Sequence, residues 1–151
     1  GAANEIGTGA GEGFTVNLPL AAGATDGDYE HVYASVAWPI LRSFKPDLIL
    51  LSAGFDAYMD DPLGGMRLTA PCFGRLTASL AAIADECCDG RLVAVTEGGY
   101  DLKGLADCLR EAIGALETRG AAVPATRTAE TPRADATIKT VRPNLSKYWK
   151  L

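Results

Sequence analysis

Two short stretches of the sequence combine residue types able to do chemistry with glycines that leave room for it. One is Ser52-Ala53-Gly54-Phe55-Asp56-Ala57-Tyr58-Met59-Asp60-Asp61-Pro62-Leu63-Gly64-Gly65; the other is Glu97-Gly98-Gly99-Tyr100-Asp101. Each follows an apolar run of strand character, and in open parallel sheets ligands gather at the C-terminal strand ends. Asp56 offers a hard oxygen ligand for a divalent cation. The Tyr100 hydroxyl offers a donor able to polarise a carbonyl. Spacing alone also leaves a plainer alternative open, and favours it: Asp, Gly and Pro follow strands of every kind as turn residues, and both side chains can simply satisfy local backbone.

The elements that must carry these loops read as follows. Phe14 to Leu18 alternates with period two and predicts a short strand. Tyr29, Val32, Tyr33, Val36, Ile40 and Phe44 recur at helical steps, so a helix is expected over 28–44, bent or split at Pro39. Asp47 to Gly54 is the clearest strand, and its unbroken apolar run from Leu48 to Leu51 predicts burial on both faces, as in a parallel sheet. Thr69, with Pro71 behind it, opens a helix whose stripe is Phe73, Leu76, Leu80 and Ile83. Arg91 to Thr96 predicts a second parallel strand, and Asp101 caps a helix carrying Leu102, Leu105, Leu109, Ile113 and Leu116. This order is α/β with a parallel sheet. Residues 119–142 are rich in Thr, Ala, Pro and Arg and read as a linker or surface-wrapping tail. Asn144 to Leu151 brings Tyr148 and Trp149 as an anchor packing back on the domain.

The run Ala53-Gly54-Phe55-Asp56-Ala57, followed by Asp61-Pro62-Leu63-Gly64-Gly65, resembles a segment of the histone deacetylase and acetylpolyamine amidohydrolase superfamily. Glu97-Gly98-Gly99-Tyr100 resembles its Gly-Gly-Tyr segment, at the expected distance downstream. The opening, Gly1 to Leu20, is similar to the stretch that precedes the family's later strands. Two segments in the correct order make the likeness specific, and it is strongest to the bacterial class II-like members. It implies a parallel-sheet three-layer arginase/deacetylase-like fold, of which residues 1–118 form the C-terminal half and 119–151 a tail. It further implies that Asp56 is one aspartate ligand of a catalytic Zn2+ and that Tyr100 hydrogen-bonds the scissile carbonyl oxygen as water attacks. Gly98 and Gly99 then allow close approach to the acetamide, and Leu63 forms an apolar wall of the substrate tunnel. Asp61, in an Asp-Pro turn, is expected to brace its loop rather than bind metal.

The chain departs from the family in what it lacks. The family's zinc site takes two aspartates and a histidine, and a tandem histidine pair handles the water. This chain has one histidine, His31, in the predicted 28–44 helix and outside both motifs, and it reads as a partly exposed helix residue. One carboxylate holds zinc poorly, so the chain alone is expected to be inactive. It is expected to be a fragment, or a subunit whose upstream half of the fold lies elsewhere. Tyr58 also stands where many relatives carry His.

Bulk properties narrow the classes. The 151 residues are 48% hydrophobic and 22% charged, ordinary values for one globular domain. A net charge of −5 disfavours partners held through nucleic-acid phosphates or anionic lipid, and no apolar run is long enough for a membrane span. The four cysteines, Cys72, Cys87, Cys88 and Cys108, form no CxxC pair and read as reduced thiols filling helix faces of a cytoplasmic protein. The expected function is zinc-dependent hydrolysis of N-acetyl amides, in acetyl-lysine or acetylated polyamines, with a homo-oligomer left open. Two alternatives stand beside it: a non-catalytic interaction module, and a metal-free α/β domain that binds a small molecule.

Overall fold

The computed structural model describes residues 1–118 and 130–151. In chain order its regular elements are α1 (Asp26–Val32), a wide π turn (Tyr33–Ala37), α2 (Trp38–Phe44), β1 (Ile49–Ala53), α3 (Ala70–Cys88), β2 (Leu92–Thr96), α4 (Leu102–Glu117) and α5 (Pro132–Leu145). Contacts group the described residues into two units, one of 1–44 with 130–151 and one of 45–118. No described helix is long and apolar enough to cross a membrane.

In the first unit the expected 28–44 helix is present but divided. Pro39 has no N–H to give the preceding turn, and that turn widens: the Trp38 N–H reaches back five residues to the Tyr33 carbonyl. Val36 and Ile40 pack against Val141 and Leu145 of α5, with Ile6, Val16, Leu18 and Trp149 closing the cluster. Two expectations are corrected here. Phe14 to Leu18 forms no strand among the described residues; instead Val16 and Leu18 pack as side chains on this core. An alternating run becomes a strand only if another strand pairs with it. Residues 119–129 lie outside the described residues, but the following stretch, read as linker to 142, is helical from Pro132. Its buried stripe is Ala134, Thr137, Val141 and Leu145, too small and mixed to stand out against Thr, Arg and Pro. Tyr148 and Trp149 do pack back: the Trp149 indole N–H donates to the Gly13 carbonyl at 2.7 Å, and its ring meets Phe14 edge-on at 5.6 Å.

Asp28 ties this unit together. Its carboxylate completes a capping box with Thr25 at the start of α1 and accepts the Ala134 N–H of α5 at 3.0 Å. One side chain thereby caps two helices distant in sequence.

The second unit is the α/β part. β1 and β2 are parallel, with Ile49 opposite Leu92 and Ala53 opposite Thr96, and α3 makes the crossover between them. The helices α3 and α4 pack through small residues: Gly104, Cys108 and Ala112 are the buried positions of α4, and a Cβ at Gly74 of α3 would lie 3.2 Å from Glu111. Of the apolar residues expected on this helix, Leu105, Leu109 and Leu116 are half-buried, while Leu102 and Ile113 are exposed. All four cysteines are free thiols, three of them buried.

The expectation of strands buried on both faces is corrected too. Ile49 is buried and Leu51 and Ala53 are half-buried, but Leu50 is 72% exposed, and Val93 and Val95 on the same face are exposed as well. Nothing among the described residues covers that side. The apolar composition of the strands thus exceeds what is buried among the described residues.

Candidate functional site

The two strand-end loops of the second unit are brought together by continued backbone pairing beyond the sheet. The Glu97 N–H donates to the Ala53 carbonyl at 3.0 Å, and the Phe55 N–H donates to the Gly98 carbonyl at 2.8 Å. Below them the Ser52 hydroxyl donates to the Glu97 carboxylate at 3.1 Å. Parallel register thus places Asp56 beside the Gly98-Gly99-Tyr100 segment, as the topology of the strand ends requires.

The Asp56 carboxylate sits in a slot made by missing side chains. A Cβ on Gly98 would stand 3.2 Å from its Oδ2, and a Cβ on Gly54 would stand 3.1 Å from its Oδ1. Gly99 holds a φ of +136°, a backbone conformation that L side chains rarely adopt, with Leu105 and Phe55 pressed on its open side. Gly98 therefore serves Asp56 directly, a role that its position in the sequence did not announce.

Asp61 is the most connected side chain of the site. One carboxylate oxygen accepts the Leu63 N–H at 2.8 Å and the Gly64 N–H at 3.0 Å, closing its own turn. The other accepts the Tyr100 N–H at 2.7 Å, across to the second loop. Burial alone would raise the carboxyl, but backbone N–H donors from Tyr100, Leu63, Gly64 and Asp101 outweigh it and hold the group below its ordinary value. The loop-bracing expected of Asp61 is present; its reach to Tyr100, 39 residues on, is the part that was missed. The turn is tight enough that a Cβ on Gly64 would overlap the Asp56 carbonyl.

Tyr100 and Leu63 project outward from this frame, 57% and 71% exposed. Asp101 caps α4 as expected, accepting the Gly104 N–H, and the Tyr58 ring lies where a Cβ on Gly104 would be, against the first turn of α4. His31 belongs to the first unit. Its Nδ1 is 2.7 Å from the Thr131 hydroxyl and 3.6 Å from an Asp135 carboxylate oxygen, linking α1 to α5 as a half-exposed helix residue. Chemically, the second unit offers a carboxylate in a fixed slot, a phenol on a braced loop, and glycine backbone between them.

Comparison with known proteins gives concordant matches. The family model for the histone deacetylase domain matches residues 1–116. Histone deacetylase 9 of Homo sapiens is 41% identical over 122 residues, covering 77% of this chain and 12% of that protein. A probable deacetylase of Archaeoglobus fulgidus is 45% identical over 100 residues, 66% of this chain and 28% of that one. Among solved structures, that of the histone deacetylase Clr3 matches with a TM-score of 0.88 at 34% identity, over 99% of this chain and 25% of the other. That of the HDA15 HD domain gives 0.86 at 32% identity, over 99% and 39%. The chain thus spans 12% of the length of the human relative and 28% of the archaeal one.

Proposed function

The chain belongs to the histone deacetylase family, and from that premise we propose that it serves a zinc-dependent hydrolase of N-acetyl amides, with acetyl-lysine or an acetylated polyamine as substrate. Residues 1–118 are then the C-terminal portion of the deacetylase domain and 119–151 its tail. In this proposal Tyr100 donates its hydroxyl hydrogen to the carbonyl oxygen of the amide and stabilises the charge that develops there when water adds. Asp56 is one metal ligand, Leu63 an apolar wall for the acyl-lysine chain, and Gly98 and Gly99 the backbone beside the acetyl group.

The observation that carries this is the juxtaposition of the two loops: the Phe55–Gly98 backbone bond and the fit of the Asp56 carboxylate against Gly98. A lone turn aspartate would not need a slot cleared by two glycines. The donors among the described residues do not by themselves accommodate zinc. Among the described residues no three His, Cys, Asp or Glu side chains are grouped to hold a metal ion, whereas catalytic zinc takes three protein ligands. Asp56 supplies one, and the remaining ligands and the water-activating histidines come from elsewhere in the proposed enzyme.

The test has two levels. Zinc titrated into this chain against a chelator should find no stoichiometric site; tight one-to-one binding would remove the proposal that Asp56 is a partial site. In the full-length enzyme, Tyr100→Phe should lower turnover by roughly 10²–10³-fold while leaving zinc bound, and Asp56→Ala should lose zinc. Normal activity in either variant would strike out that residue's role.

A further inference from the structure

We propose that Asp61 is a positioning residue that locks the two loops of the site into one geometry, fixing the backbone from which Tyr100 and Leu63 project. This rests on the deacetylase reading for its kinetic consequence, though not for its geometry. A brace confined to its own turn would use only donors from the residues just after it. Asp61 does that with one oxygen, through Leu63 and Gly64, but gives the other to the Tyr100 N–H, in a loop that follows the neighbouring strand.

The need for such a tie follows from exposure. The side chains of Tyr100 and Leu63 both stand largely in solvent, so packing does not orient them. Their backbone attachment decides where they point, and Asp61 holds both attachments. The third side chain of the site is engaged through the same turn, because Gly64, bound by Asp61, runs directly against the Asp56 carbonyl.

A carboxylate is suited to this where an amide is not. Every partner of Asp61 is a backbone N–H, and an ionised carboxylate accepts at all its sites. Asn would turn an NH2 group toward one pair of those donors, either its own turn or the Tyr100 side. The 2.7 Å bond to the Tyr100 N–H is in the charge-assisted range, and burial of the group strengthens it.

The decisive experiment is a double-mutant cycle in the full-length enzyme, read with an N-acetyl-lysine amide substrate. Asp61→Asn should lower kcat roughly 10²-fold, as an ångström-scale misplacement does, with KM little changed. Because part of the effect of Asp61 passes through Tyr100, Asp61→Asn should cost clearly less when added to Tyr100→Phe than it does alone. Additive losses, or full kcat in the single variant, would overturn the proposal. Should Tyr100→Phe itself retain turnover, the deacetylase reading fails, and the positioning claim is then decided by amide hydrogen exchange in this chain. The Leu63, Gly64, Tyr100 and Asp101 amides should be protected together and open together in Asp61→Asn, with the β1–β2 amides unaffected. Independent opening of the two loops, or an unprotected Tyr100 amide in the unmutated chain, would sink it. If Asp61→Asn does not fold, the exchange patterns of the unmutated chain and of Asp61→Glu decide between joint and independent opening.

Discussion

Replacing Asp28 with Ala should destabilise the first unit by about 2–4 kcal/mol, the sum of two lost helix caps. The side chain is 1% exposed and accepts three hydrogen bonds: from the Thr25 N–H and hydroxyl at 3.1 Å each, and from the Ala134 N–H at 3.0 Å. Removing it leaves two backbone donors without their acceptor, one at the start of α1 and one in the first turn of α5. Both tryptophans, Trp38 and Trp149, belong to this unit, so urea unfolding followed by tryptophan fluorescence reports it directly. For a chain of this size the loss corresponds to about 6–12 °C in Tm. The pH dependence has a definite sign. Burial raises the Asp28 carboxyl, but hydrogen bonds from Thr25 and Ala134, with the nearby Arg133 charge, outweigh it and leave the folded value below the ordinary 3.8. A depressed carboxylate stabilises fully above its unfolded pKa and loses that contribution as pH falls through the folded one. The gap between the unmutated chain and Asp28→Asn should therefore be constant from neutral pH to about pH 5 and close below 3.8. An Asp28→Ala penalty under about 0.5 kcal/mol, the level of an ordinary surface substitution, would refute the shared cap; so would a gap to Asp28→Asn that ignores pH.

Two further outcomes follow from the second unit. Gly98→Ala would put a Cβ 3.2 Å from Asp56 Oδ2, displacing the carboxylate by a few tenths of an ångström. In the proposed zinc enzyme, metal affinity should drop roughly 10- to 100-fold, as when a ligand's supporting contacts are lost, and chelator competition measures it; unchanged affinity would remove Gly98 from that role. Cys108 is pushed up to about 11 by burial, reinforced by the Asp107, Glu111 and Asp101 charges. It should resist alkylation at about pH 8, where free thiols begin to ionise, while half-buried Cys87 reacts first; mass spectrometry of iodoacetamide-treated chain gives the order, and early labelling of Cys108 would contradict its burial.

Much of the frame was legible residue by residue, wherever the signal was local. The apolar runs ending at Ala53 and Thr96 are parallel strands, Pro39 splits its helix because a missing N–H acts within one turn, and Asp101 caps α4 because its carboxylate reaches an amide three residues on. The loops carrying Asp56 and Tyr100 sit at adjacent strand ends for the same reason: consecutive parallel strands leave their C-terminal ends side by side. What depended on distant partners was not legible. Phe14 to Leu18 has a strand's alternation without a strand to pair with, and α5 hides its stripe of Ala134, Thr137, Val141 and Leu145 in a composition that resembles a linker until α1 and the π turn give those residues something to pack on.

The same division runs through the polar contacts. That Asp61 would close an Asp-Pro turn is a property of neighbouring residues; that it also holds Tyr100 arises only when two loops 39 residues apart meet. Asp28 was one more acidic residue near a helix start until the fold brought Ala134 to it across 106 positions. Gly98 had the flexibility of any glycine, and only the packed structure shows that a carboxylate occupies the space its side chain would take. Local sequence determines conformations whose donors and acceptors lie within a turn or a strand; which far partner completes a bond, and what fills a vacated volume, is settled by tertiary packing, because those energies exist only once the distant groups are in contact.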